Sequence, residues 1–517
     1  MPTVSKDQLF RLIKSLSKAE KRHFRLYVNR TMSTQERKFI LLFDALDKLS
    51  EYDEKELIQR LPSSERSHLP HLKRHLFRQL LTSMRLMHIQ RHIDIQIREQ
   101  LDFARILYSK GLYMESLRLL ERVKLTAEEH HQDILHLEVL EFQKFIEARH
   151  ITRSRQVSRK MDKLLLDATQ RSEVTLAASE LSNLNIQIQG YYIDHGHAKT
   201  PEEVERLHTA WLNMQPLPKR VESVGTFFEK VNRFQAHMWY NYIRLNLAAA
   251  RENAAEWVAL FRLNPKMREK DPDLYIRGLY YLLIFCFLLD DVADYRRYLE
   301  EFGGFVVAMK DVFMPGTELV AFQYLSLASL NRHLLERSFL SAAQDVERVK
   351  KGLHDYGDRL DDHRTMLFYY KFAYFKFAQG DYQGALDELD EILQSRTNFL
   401  REDIHYNAHL LELLCRYQLE QFMLLDYRLT ALQRLLNKGR EVSRLQRIGA
   451  TMLRRSLGRP TAERRLILQQ FLPELQQLRE DPYECKSLKY LDLAAWVEAL
   501  LRNQTLAEYA VLIPEPS

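Results

Sequence analysis

The residues best able to do chemistry in this sequence are carboxylates and imidazoles paired at helical spacing. Glu-x-x-His serves carboxylate-bridged di-iron centres when it projects into a bundle core. It occurs at Glu65/His68, Glu128/His131, Glu147/His150, Glu205/His208 and Glu402/His405. These pairs sit among charged neighbours such as EARHITRSR, the composition of a solvated helix face. In HHQDILH, His131 and His136 are five apart, a poor facing for two ligands on one helix. HExxH, paired CxxC, GxGxxG, GxxxxGK[ST] and GxSxG are all absent. Cys286, inside IFCFLLDD, reads as a buried apolar group rather than a nucleophile. The expectation is therefore no catalytic residue, no metal ligand and no cofactor, in a chain that is not an enzyme.

What remains is recognition chemistry, at two places. Residues 1–100 hold 20 Lys and Arg against 12 Asp and Glu, whereas the other 417 hold 56 against 58. Such asymmetry fits an acidic partner for the basic end. A helix expected over 68–92 places Arg74, Arg78, Arg85 and His92 near one stripe, opposite Leu72, Leu76, Leu80 and Met84. With DEKELIQRL before it, the outline is that of a helix-turn-helix, although the break between the two helices is longer than that motif's tight turn. Arg74, Arg78 and Arg85 are the candidates for nucleic-acid or phosphate contact. The second place is the aromatic helix 366–378. Its Phe372, Phe375 and Phe377 read as packing, and Tyr369 and Tyr374 as rigid, amphipathic anchors for a protein or peptide partner.

The elements that must carry these residues are helices. Gly and Pro number only 15 and 14 in 517 residues, too little punctuation for a turn-rich β architecture. No apolar run approaches the ~20 residues that span a bilayer. YLLIFCFLL (281–289) is the nearest, at a buried-helix length, and no membrane association is expected. The N-terminus is amphipathic, without a signal-peptide block. Cys286, Cys415 and Cys485 are far apart in helical patterns, which points to a reducing, cytoplasmic compartment. Ser5 and Ser17 read as caps of the first two helices.

The stretch 366–393, MLFYYKFAYFKFAQGDYQGALDELDEIL, reads as two helices joined at Gly380-Asp381. Residues 101–123 repeat its spacing, with Gly111, Tyr113 and Ser116 in the places of Gly380, Tyr382 and Ala385. Turns near 290, 337, 380 and 420 give steps of 47, 43 and 40 residues. On these residues the chain resembles tetratricopeptide repeats, lengthened beyond the usual period of ~34. It departs from them in the turn Gly, present only twice, and in the closing Pro, which most hairpins lack. The resemblance implies that Ala385 lies where two helices touch, with Gly384 beside it facing solvent.

The expected architecture is all-α: a basic N-terminal helical unit over 1–92, then a superhelical α-solenoid of antiparallel hairpins over 93–517, closed by a C-terminal capping hairpin. The expected function is a non-catalytic scaffold or adaptor that binds a protein or peptide on the concave face of the solenoid. The alternative is a nucleic-acid-binding regulator, with residues 1–92 on the nucleic acid and the tetratricopeptide-like part as sensor.

Overall fold

A helix must dispose of its last carbonyls, and this chain does so in the same way at eight junctions. The computed structural model describes all residues except 1–6, 32–37, 63–67, 90–91, 155–160, 216–224, 395–401, 439–441, 482 and 513–517. In it, Gly111, His131, Leu245, Asp290, Arg337, Gly380, Glu420 and Asn503 each hold a positive φ at a helix end. The next residue donates its N–H to the carbonyl five positions back, as from Asn246 to Asn241 at 2.9 Å, Asp291 to Cys286 at 3.0 Å and Asp381 to Lys376 at 2.9 Å. This is the Schellman closure. Only Gly111 and Gly380 meet it with glycine, although a side chain in this region costs roughly 1–2 kcal/mol. The turns at 245, 290, 337, 380 and 420 stand 45, 47, 43 and 40 residues apart. The long repeat step read from the sequence is therefore the step of the turns.

Among the described residues there are helices and no strands, and successive helices pack in pairs. The chain divides into two compact units, residues 1–177 and 178–517. The first begins with α1 (Gln8–Ser15), α2 (Lys18–Thr31), α3 (Lys38–Lys48), α4 (Glu54–Arg60) and α5 (Leu69–His88). Their shared core includes Ile13, Phe24, Leu42, Phe43, Leu57 and Leu76. Ser17 caps α2 as expected: its hydroxyl accepts from the Glu20 N–H at 3.2 Å, and Glu20 accepts from the Ser17 N–H at 2.7 Å. Ser5 lies outside the described residues, and Asp7 caps α1 by accepting from Phe10 N–H. The expected boundary near residue 92 falls inside this unit. It separates that core from a second one formed by α6 (Ile93–Ser109), α7 (Tyr113–Glu129) and α8 (Asp133–Ser154). Between α6 and α7, the buried Ser116 hydroxyl donates to the Ala104 carbonyl at 2.8 Å.

The division between units falls along α9 (Met161–His195). The second unit continues with α10 (Pro201–Met214), α11 (Phe227–Ile243), α12 (Leu247–Leu263), the short α13 (Pro265–Lys270), α14 (Pro272–Leu288), α15 (Val292–Met309), α16 (Pro315–Leu335) and α17 (Ala343–Tyr356). The aromatic hairpin follows as α18 (Asp362–Ala378) and α19 (Tyr382–Leu393). Then come α20 (Glu402–Gln418), α21 (Phe422–Lys438), α22 (Arg444–Ser456), α23 (Thr461–Gln477), α24 (Cys485–Tyr490), α25 (Leu493–Leu501) and α26 (Leu506–Ala510). No helix among the described residues is long and apolar enough to cross a membrane.

α18 is covered on nearly all sides, which is what an aromatic helix without a polar face requires. Phe368, Phe372, Phe375 and Phe377 are each at most 2% exposed. In α19, Ala385 is fully buried, as the repeat register demands. Gly384 corrects the reading, because it too is buried rather than facing solvent. Its N–H donates to the Asp381 carboxylate at 2.9 Å, and a Cβ placed there would come within 2.1 Å of the other carboxylate oxygen. The glycine makes room for the helix cap. Gly384→Ala is accordingly expected to lose about 1 kcal/mol of capping instead of gaining from removal of a helix-interior glycine. Ala385→Leu is expected to lose roughly 1–3 kcal/mol by overpacking. Thermal melts of the two variants check this, and a neutral Ala385→Leu would overturn the register.

The C-terminal segment packs on α23 and also runs back over earlier helices of its unit. Tyr370 donates its hydroxyl to the Tyr490 carbonyl at 3.1 Å, Lys489 pairs with Asp290, and Trp496 lies against Phe377 and Tyr417. Nearest-neighbour stacking alone does not produce such contacts. The aromatic surface of α14 and α18 is apolar enough to need cover, and this segment supplies it.

Candidate binding groove

Four hairpins of the second unit turn their first helices, α11, α14, α16 and α18, toward one groove of about 370 Å³. α14 is the centre of it. Its sequence is apolar almost throughout, so one face packs inward through Tyr275, Leu279, Leu282 and Cys286 while the opposite face must go somewhere else. That face carries Tyr280, Tyr281 and Ile284, half-buried along the groove wall. Tyr280 lies 4.3 Å, ring to ring, from Tyr324 of α16, and Tyr281 lies 5.6 Å from Trp239 of α11. Burial pushes the phenols of Tyr280 and Tyr281 well above the ordinary tyrosine range, so they are neutral at any physiological pH.

Two of the groove's cations come from α18 at helical spacing, and a third, Lys489, comes from α24 and pairs with Asp290. Arg364, Leu367 and Lys371 share one face, and all three line it. Arg364 donates to the Tyr324 hydroxyl at 2.6 Å, and Arg277 donates to the same oxygen at 2.8 Å. Burial works against the Arg364 charge, and the phenols of Tyr324 and Tyr280 more than offset it. Lys371, only 3% exposed, donates to the Asn331 side-chain oxygen Oδ1 at 2.6 Å, and its ammonium stands 5.8 Å from the Tyr490 ring. Asp361, 3.7 Å from Arg364, is the one carboxylate among the groove-lining residues. Aromatic faces, phenol donors and three cations against one carboxylate make a surface suited to an acidic chain with apolar or aromatic side groups.

The tyrosines singled out in the sequence are elsewhere. Tyr374 is 5% exposed, packed near Phe339 and Phe377, because its side of α18 is covered by the C-terminal segment. Tyr369 is half-buried beside Phe372, with Glu388 and Glu391 of α19 acting on its phenol. Neither lines the groove. The signal for this groove face was present in the sequence as Tyr280-Tyr281 at the head of the apolar run 281–289. Arg74, Arg78 and Arg85 are exposed along one face of α5. None of the three makes an ion pair among the described residues, whereas Lys21, Arg25, Arg60 and Lys73 of the same bundle do.

The histidines of the Glu-x-x-His pairs have structural surroundings. His131 forms the turn between α7 and α8, His150 stacks on Tyr113 at 3.7 Å, and His208 meets the Tyr240 hydroxyl at 2.9 Å. His405 lies edge-on to His409 at 4.5 Å. Glu65 and the side chain of Glu402 lie outside the described residues. Among the described residues no cluster of His, Cys, Asp and Glu is arranged to hold a metal ion. Cys286 is fully buried, and that burial pushes its thiol up to about 12. Cys415 is buried and shifted upward in the same way, and Cys485 has no described side chain. Compared with protein-family models, curated proteins and solved structures, the chain has no match.

Proposed function

We propose that the protein is a non-catalytic scaffold or adaptor, a tetratricopeptide-like helical-repeat solenoid whose second unit binds an extended, acidic segment of a partner protein in the tyrosine-lined groove. The observation that carries the reading is the pairing of Arg364 and Lys371 on one face of α18 with Tyr280, Tyr281 and Tyr324 across from them. A peptide carboxylate on those cations would make charge-assisted hydrogen bonds, and its apolar side chains would lie on the rings.

Panning a displayed peptide library on the full chain tests it. Enriched peptides are expected to be rich in Asp and Glu with interspersed aromatic or Pro residues. Lys371→Met, which keeps length and apolar stem, is expected to weaken them about 10- to 100-fold, the worth of one hydrogen bond to a charged group. Equal binding by Lys371→Met would remove the reading.

A second reading rests on the exposed stripe of Arg74, Arg78 and Arg85, without an ion pair among the described residues: a nucleic-acid-binding regulator. It requires binding of random duplex that weakens steeply with salt, with a slope that falls by about one for each arginine replaced by Gln. No binding at low salt would end it.

A further inference from the structure

We propose that a second cavity of the unit 178–517 is a binding site for an apolar monocarboxylate, held by Arg337. The cavity measures about 630 Å³ and lies where the turns at Asp290 and Arg337 meet the C-terminal segment. That size is within the roughly 300–1,000 Å³ of small-ligand sites. About half of its wall is apolar, with Phe287, Leu335, Phe339 and Tyr374 on one side and Leu488 and Leu506 on the other.

The charges on the walls are almost all committed. Lys489 pairs with Asp290. Arg479 pairs with Asp492 at 3.2 Å, and Asp492 also caps α25 by accepting from the Ala495 N–H at 2.9 Å. Arg337 is the exception. Its Nη1 is sealed from solvent with no hydrogen-bond partner among the described residues, and its guanidinium forms no ion pair among them. It stands near enough to Tyr374 to act on the phenol, which burial and the Asp492 charge raise and the Arg337 charge offsets only in small part.

The turn itself does not call for arginine. Arg337 has a φ of 55°, and the matching positions of the neighbouring turns are Leu245, Asp290, Gly380 and Glu420. A guanidinium that lines the cavity and forms no ion pair among the described residues fits the two oxygens of a carboxylate. One uncommitted cation among leucine and phenylalanine walls fits a single negative charge on an apolar body. The carboxylate could belong to a free aliphatic or aromatic acid or to the C-terminus of a peptide, and the chemistry of recognition is the same.

Calorimetric titration of the full chain with decanoate, and with N-acetyl-Leu-Phe as free acid and as amide, separates these sources. Saturable binding of either acid is expected, with the amide at least about tenfold weaker. Binding of decanoate alone assigns the site to free acids, and binding of the peptide acid alone assigns it to chain termini. Arg337→Gln is expected to lose at least about tenfold at an unchanged melting temperature, and Arg337→Lys to retain part of the affinity. Should Arg337→Gln fail to fold, the comparison of Arg337→Lys with wild type and of acid with amide still decides. Lys371→Met, the groove variant, is expected to bind these acids as wild type does. No saturable heat at millimolar acid would overturn the proposal. So would equal binding of acid and amide, or undiminished binding by a folded Arg337→Gln.

Discussion

Phe372→Ala is expected to destabilise the second unit by roughly 3–5 kcal/mol, the cost of emptying a large aromatic site that cannot collapse. Phe372 is 1% exposed near the middle of α18, with Phe368 and Tyr369 beside it on the same helix. The Lys350 ammonium stands 5.4 Å from its ring and is itself held by Glu388 at 2.6 Å. Glu388 also pairs with Lys376 at 2.7 Å, so the charged layer over the ring is tied across three helices, α17, α18 and α19. Neighbours tied in this way cannot move into the space. Tyr369→Ala, at a half-buried position of the same helix, is expected to cost less than half as much. The four tryptophans, Trp211, Trp239, Trp257 and Trp496, all lie in residues 178–517, so denaturation followed by their emission reads this unit alone. Equal losses in the two variants would show that α18 is not enclosed as described.

The other large expected effect is acid destabilisation through two histidines, one in each unit. Burial lowers His136 to about 4, with Arg171 and Lys124 adding to the effect. Burial likewise lowers His405 to about 4, with a smaller contribution from His409. An unfolded histidine takes its proton near pH 6.5, whereas these remain neutral in the folded chain until about pH 4. Between those values the unfolded state binds more protons, so stability is full above pH 6.5 and falls as the pH drops toward 4. For His136, 4% exposed, the loss amounts to about 3 kcal/mol. His405 is half-buried, and screening by water makes its share smaller. The carboxyls of Glu20 and Glu412 act in the same direction at lower pH. Burial would raise them, but they are held below the usual carboxylate range by Ser17 and His88 in the one case and by His409, Arg428 and Arg416 in the other. His405→Gln is expected to lessen the fall in tryptophan-detected stability between pH 6.5 and 4, to which His237, lowered by burial and Arg233, also contributes, and His136→Gln to leave that signal unchanged. An NMR titration placing either imidazole near 6.5 would defeat the expectation.

The sequence by itself determined the helices, their pairing and the long step between turns. These are local properties: apolar spacing at 3.6 residues, caps such as Ser17, and punctuation at Gly380 and Gly111. It also determined that Ala385 is buried, because the spacing of Gly380, Tyr382 and Ala385 is the spacing of a close helix contact. Most of the turns were legible only through that periodicity. Leu245, Asp290, Arg337 and Glu420 adopt the left-handed conformation that glycine takes at 380, and no residue type announces it. The six-to-one hydrogen bond and the packing of the next helix compel it there.

Tertiary structure decided which aromatic residues face a groove and which are enclosed. Tyr374 and Tyr281 each sit on a helix that is apolar almost all round, so the two sequences give no ground for choosing between them. The C-terminal segment chooses, by folding back to cover the side of α18 that carries Tyr374 while the Tyr281 face of α14 stays half-open. The uncommitted charge of Arg337 is likewise a property of the assembled unit, because Asp290 and Asp492 line the same cavity and are taken by Lys489 and Arg479. The pairing of Lys489 with Asp290 joins residues 199 positions apart, and that of Arg479 with Asp492 joins residues 13 apart with α24 between them. Helical periodicity reaches only a few residues along the chain, and it carries no information about them.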